Sequence, residues 1–180
     1  YALTIATLLG NPDSPVIWRG PLKMGVIKQF LGDIKWPELD YLIVDSPPGT
    51  GDEPLSAVQL IGKVDGTIIV STPQDLALLD ARKTINFSKK LNVPVIGIVQ
   101  NMTAFKCPHC GNYIDIFEGT GTEKAARDFG VDILGKIPID KMIVEASDKG
   151  KAYIKNNRDS ESAKSMESIV NKVIKKVENV

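Results

Sequence analysis

The stretch that most constrains this chain is residues 36–52, W-P-E-L-D-Y-L-I-V-D-S-P-P-G-T-G-D. Its first half, 39–44, is a short apolar run with β-branched residues. That composition predicts a strand buried on both faces of a parallel sheet. The run ends on the carboxylate of Asp45 and breaks at Pro47, Pro48, Gly49 and Gly51. A strand that carries an acid to its C-terminal tip and then turns sharply is how open α/β sheets build ligand sites. A plain strand end with a Pro/Gly turn has the same composition.

The rest of the chain repeats this strand-then-helix rhythm. Residues 3–9 read as a strand closed by the turn Gly10-Asn11-Pro12-Asp13. Leu22, Val26, Ile27, Phe30 and Leu31 recur at helical spacing and predict an amphipathic helix over 21–33. After the strand at 39–45, Pro54 opens a helix to about residue 61. A buried strand follows at 66–71 and a long helix at 75–91. The apolar run 93–99 is a further strand, and Pro94 moves its paired start to about Val95. Residues 102–118 interrupt the rhythm. Helix returns at 122–129 and stops at Gly130; 133–137 is a short strand. Residues 140–149 are helical, 150–157 form a loop, and a closing helix runs from about 160 to 178.

Five strands alternating with helices over short connections predict a doubly wound α/β domain, mainly parallel, with helices on both faces. At 180 residues this is one domain, 1–180, with the 102–118 loop inserted. Ligand sites then belong at the C-terminal strand ends, near Gly10, Asp45, Ser71, Asn101 and Pro138.

Lys plus Arg and Asp plus Glu balance at 22 each, so no bulk basic charge points to nucleic acid. No apolar run reaches the roughly 18 residues of a membrane span. The two cysteines stand three positions apart, which argues against a secreted disulfide framework and places the chain in the cytoplasm. The chain opens on Tyr1 rather than Met, and the expectation is that an N-terminal part is missing.

Within the insertion, 105–111 reads F-K-C-P-H-C-G. A C-x-x-C turn points two sulfurs the same way, and its backbone N–H groups can hydrogen-bond them. It suits a soft metal or an iron–sulfur cluster. A four-thiolate site needs four cysteines, and one chain supplies Cys107 and Cys110. A second copy across a two-fold axis would complete the set. A half zinc-ribbon that ties two subunits together, or a redox pair, are the competing readings. Asn101 follows a strand directly, where its amide suits either a base edge or a turn. Asp75 and Asp80 flank a helix start, and Arg19 and Lys23 suit phosphate or solvent. The closing helix carries Lys172, Lys175 and Lys176 opposite an apolar stripe that packs on the sheet or meets a membrane. No G-x-x-x-x-G-K-(S/T) loop occurs in the sequence. Residues 119–122, G-T-G-T, are glycine-rich but lack the lysine.

Four segments in order resemble one family. They are 36–52, V-I-W-R-G-P-L-K at 16–23, I-V-Q-N-M at 98–102 and C-P-H-C-G at 107–111. Together they look like the Mrp/ApbC ATPases, iron–sulfur cluster carriers with a deviant-Walker P-loop fold similar to MinD and ParA. The resemblance implies a homodimer that binds ATP and Mg2+ and passes a cluster to apoproteins, with no nucleic acid and no membrane partner. It implies that Asp45 is the acid for Mg2+ and water and that Gly49 lies in the γ-phosphate-sensing loop. It further implies that Asn101, Pro138 and Ile139 contact adenine, and that Cys107 and Cys110 bridge a 4Fe-4S cluster, or zinc, between subunits. The departure is the P-loop, which in the family precedes the region where this chain begins. ATP hydrolysis is therefore expected of the full-length protein and not of this chain alone. The rival expectation is a MinD/ParA-like positioning ATPase with a structural zinc site that binds a membrane or a partner protein.

Overall fold

Strand β2 (Val95–Lys106) is the axis of the sheet, because its residues alternate between two covered faces. The computed structural model describes residues 1–180 apart from 10, 12, 14, 16–19, 118, 180 and the side chain of residue 8. The chain divides into two compact units, Tyr1–Val64 and Asp65–Val180.

In the second unit, β1 (Thr67–Ser71) lies parallel to β2, from Thr67 opposite Val95 to Ser71 opposite Gln100. On the other side β4 (Ile133–Ile139) is also parallel to β2, from Ile98 opposite Ile133 to Phe105 opposite Ile139. A two-residue strand, β3 (Tyr113–Ile114), turns back antiparallel on the end of β2. Parallel neighbours require crossover helices, and α3 (Asp75–Lys90) and α4 (Gly121–Phe129) supply them. Ile98 is fully buried on the face shared with Ile69, Ala81, Ile85, Ala125 and Ala126. Its neighbour Val99 points the other way, to Leu134 and to Ile169 of α7 (Glu161–Glu178). A period of two along β2 thus fills two separate cores. The result is a mainly parallel sheet with helices on both faces. β2 begins at Val95, just after Pro94, and runs to Lys106, so 102–106 are strand rather than insertion.

A third cluster holds the C-terminal end of the unit. Tyr153, in the short helix α6 (Tyr153–Asn156), packs with Ala146 of α5 (Lys141–Asp148) and Ala163 of α7. Asp140 caps α5 by accepting from the Met142 N–H at 2.8 Å, and Ser160 caps α7 by accepting from the Ala163 N–H at 3.1 Å. The Tyr153 hydroxyl donates to the Asp140 carboxylate and lies 2.7 Å from the Ser160 hydroxyl, which ties the two caps together. Burial, then the Asp140 carboxylate, push the Tyr153 phenol above its ordinary value. A raised value means that the linked stability is present below about pH 10, the ordinary tyrosine value, and lost as pH rises through the folded-state value. Tyr153→Phe is expected to cost about 1–3 kcal/mol at neutral pH. The same variant should flatten the alkaline limb of stability, as read by urea unfolding across pH.

The first unit holds α1 (Gly20–Gly32) and α2 (Asp52–Ile61). They meet near their first turns: a Cβ on Gly20 would lie 2.8 Å from the Asp52 carboxylate, and Lys23 pairs with Glu53. The Trp36 indole N–H donates to the Phe30 carbonyl at 2.8 Å. The predicted amphipathic helix forms, yet none of its residues is buried.

Two predicted strands are corrected. Residues 3–9 hold a 3-10 turn, Ile5–Leu8, instead of a strand. Residues 39–45 join no sheet among the described residues, with a bend at residue 40, and Ile43 is 83% exposed. Composition marks a segment as fit for a strand; only a hydrogen-bonded neighbour makes it one.

Candidate functional site

The second unit brings five of the predicted site residues onto β2, β4 and the turn that follows β2. The cysteine turn is a hairpin tip. Phe105 and Lys106 of β2 pair with Ile114 and Tyr113 of β3. Beyond them the Cys107 N–H donates to the Asn112 carbonyl at 2.9 Å, and the Gly111 N–H to the Cys107 carbonyl at 2.9 Å. Gly111 has φ +74°, which a glycine adopts without a steric penalty. Both thiols are free; Cys107 is half-buried and Cys110 exposed. The backbone N–H of Cys110, then that of His109, then the Cys110 thiol, draw the Cys107 thiol below the ordinary value. This is the environment that favours a thiolate, the form that binds metals. Among the described residues no group of three or more His, Cys, Asp or Glu is placed to hold a metal ion. One chain thus offers a two-sulfur chelate.

The hairpin is fixed from below. The Tyr113 hydroxyl donates to the Glu161 carboxylate in the first turn of α7, which raises the Tyr113 phenol above its ordinary value. The Lys106 ammonium stands 5.6 Å from the Tyr113 ring centre.

Asn101 and the tip of β4 form the second group. Asn101 stands opposite Ile137, and Pro138 and Ile139 end the strand, all of them half-buried. The Asn101 carboxamide oxygen accepts from the Met102 N–H at 3.0 Å. Met102 itself has φ +57°. Asn101 thus lies within β2, five residues before its end at Lys106, rather than directly after a strand as its position in the sequence suggested.

Asp45 and Gly49 lie in the first unit, both exposed. Gly49 has φ +95° with open space around its Cα, so backbone conformation rather than crowding selects glycine there. Arg19 and the expected site near Gly10 fall outside the described residues. Lys23 is committed to Glu53. Asp75 sits in the first turn of α3, where a negative charge meets the helix N-terminus. Asp80 is exposed.

Other features escaped the sequence reading. Gln100 is buried at 2% exposure; its amide nitrogen donates to Glu123 at 3.3 Å and its oxygen is without a partner. The G-T-G-T segment is shaped by close backbone approach: a Cβ at Gly119 would lie 2.8 Å from the Pro73 carbonyl, and one at Gly121 2.7 Å from that of Gln74. The Thr122 hydroxyl donates to the Thr72 carbonyl at 2.9 Å, which completes this seam. Two basic residues of α7, Lys172 and Lys176, turn back onto the sheet. Lys172 donates to the Leu134 carbonyl at 2.6 Å, and Lys176 to the Ile96 carbonyl at 3.0 Å and to Asp132 at 2.6 Å. With Ile169 buried beneath them, the apolar stripe of α7 is spent on the sheet. Among the described residues no helix is long and apolar enough to cross a membrane.

A family model described as "ParA: NUBPL iron-transfer P-loop NTPase" matches residues 1–174. A protein of Methanocaldococcus jannaschii named iron-sulfur cluster carrier protein is 48% identical over 176 residues, which cover 98% of this chain and 60% of that protein. The structure of a nucleotide-binding protein from Archaeoglobus fulgidus, in complex with ADP, superposes with a TM-score of 0.65 at 41% identity. The match covers 73% of this chain and 54% of that one. The cell division ATPase MinD of Pyrococcus furiosus superposes with a TM-score of 0.59 at 22% identity, over 87% of this chain and 59% of its own, a likeness of fold. The chain thus spans about 54–60% of the length of these proteins.

Proposed function

Because the chain belongs to the family of NUBPL-type iron-transfer P-loop NTPases, we propose that the whole protein carries iron–sulfur clusters to apoproteins under the control of ATP. The observation that carries this reading is the C-x-x-C turn at the tip of β2. Two thiols are presented outward on a hairpin pinned to α7, and backbone N–H groups stabilise the inner sulfur. The cluster is cargo, and a half-exposed chelate suits cargo that must leave.

Two sulfurs per chain are half of what a 4Fe-4S cluster takes. A second copy related by a two-fold axis supplies the other half, so the carrier works as a homodimer with the cluster between subunits. Zinc satisfies the same four sulfurs and competes for them. On the nucleotide side, Asn101 with Pro138 and Ile139 takes the adenine. Asp45 holds Mg2+ and its water, and the turn at Gly49 senses the γ-phosphate. The lysine-bearing phosphate loop that hydrolysis requires is not in this sequence, so ATPase activity is assigned to the whole protein. Binding or hydrolysis then acts on the subunit interface through residues 45–52 and sets when the cluster is released.

Anaerobic reconstitution with iron and sulfide tests this directly. The expected product is a brown dimer with one cluster per two chains, measured as iron, sulfide and mass by ultracentrifugation. A colourless dimer that keeps one zinc per two chains through reconstitution would overturn the carrier reading in favour of a structural zinc site.

A further inference from the structure

β2 does not run evenly against β4. Between Asn101 and Phe105 it advances four residues while its partner advances two, from Ile137 to Ile139. The surplus is taken up at 102–104, a bulge whose first residue, Met102, lies in the left-handed region at φ +57°. Asn92, the other non-glycine residue at positive φ among those described, is of a type that tolerates this conformation; methionine is not. Strain of this kind persists where surrounding contacts over-determine it. Here the contacts are visible. The Met102 N–H donates to the Asn101 carboxamide oxygen at 3.0 Å, and the Thr103 hydroxyl reaches the Ile137 carbonyl at 3.4 Å.

We infer that Met102 is a positioning residue: its left-handed backbone orients the Asn101 carboxamide for the base and sets the phase of the strand that ends at the cysteine turn. The inference rests on the proposed carrier function and names how its two halves meet. With one lone pair of the Asn101 oxygen engaged by Met102, the amide cannot rotate freely. That bond leaves its NH2 group and second lone pair as a held donor and acceptor, the pair that matches an adenine edge. Past the bulge, β2 continues without a break to Lys106 and then Cys107. Asn101 is therefore joined to the cysteine turn through the bulge at 102–104 and the paired residues Phe105 and Lys106.

The test uses the whole protein. Glycine and asparagine adopt φ near +57° readily, whereas valine, β-branched, resists it. The readout is the ratio of the Kd for tripolyphosphate to that for ATP, which isolates the contribution of the nucleoside. Met102→Val is expected to lower this preference about tenfold, the equivalent of one amide contact. It should also abolish the effect of ATP on cluster release. Met102→Gly and Met102→Asn should stay within about twofold of wild type. A valine variant with the wild-type preference overturns the inference, as does a glycine variant that loses as much as valine. If valine prevents binding of either ligand, Asn101→Ala decides: an unchanged preference overturns the inference. A wild-type protein that takes up no cluster overturns the carrier reading instead, and the nucleoside preference still judges Met102.

Discussion

Replacing Cys107 with serine is expected to leave the reconstituted protein colourless, with iron and sulfide at background. In the proposed homodimer the loss is complete rather than half. Each substitution appears in both copies, so one mutation removes two of four sulfurs. A hydroxyl is a hard ligand and a poor substitute for a thiolate. Cys107 is also the sulfur that the turn prepares, since the N–H groups of Cys110 and His109 point at it. The variant should fold as wild type does, because the thiol belongs to none of the three apolar clusters. Circular dichroism and melting would check that. Full cluster occupancy in Cys107→Ser would place the cargo elsewhere.

Gly97→Val should destabilise the second unit by about 3 kcal/mol or more, near the upper end of what overpacking costs. Gly97 lies on β2 where a Cβ would be 2.5 Å from Leu134 Cγ and 2.8 Å from the Asp132 carbonyl oxygen. That carbonyl accepts from the Ile98 N–H at 2.8 Å, so the backbone cannot retreat without loosening the β2–β4 ladder. Against a total of about 5–15 kcal/mol for a typical domain, the melting temperature should fall by more than about 10 °C. Gly25 provides the control. It is helical, nothing lies within 4 Å of its Cβ position, and Gly25→Ala should be neutral or stabilising by up to about 1 kcal/mol. Equal melting of the two variants would contradict this account.

The elements that were legible in the sequence are those whose pattern is local. The helix ended by Gly130 and the stripe of α7 carry their own period, and a proline marks the start of β2. The apolar run at 66–71 forms the strand β1, but only its Ile69 is buried while Ile68 and Val70 are exposed, so it is covered on one face and not on both. What could not be read depends on neighbours. Residues 39–45 have the composition of a central strand, but pairing is supplied from outside the segment. Lys106 looked like loop because polar residues and a cysteine follow Val99, while the ladder with β4 and the hairpin with β3 extend the strand. The backbone of Met102 leaves no trace in its side chain. The glycines at 119 and 121 look like a phosphate loop without its lysine; their purpose, contact with the 73–74 backbone, lies some 45 residues away in sequence. The cysteine pair is read from its spacing alone as a candidate soft-metal site, and its completion by a second chain belongs to the proposed function.

The exposed run at 41–44 bears on colloidal behaviour. Tyr-Leu-Ile-Val is uncharged, free of proline and glycine, and rich in β-formers, the makeup of an aggregation nucleus. Ile43 stands almost wholly in solvent, and Asp40 and Asp45, both exposed, bracket the run. Like charges at both ends oppose the in-register stacking of copies, which makes these carboxylates gatekeepers. Replacing both, Asp40→Asn with Asp45→Asn, is expected to speed self-association relative to wild type, as read by light scattering.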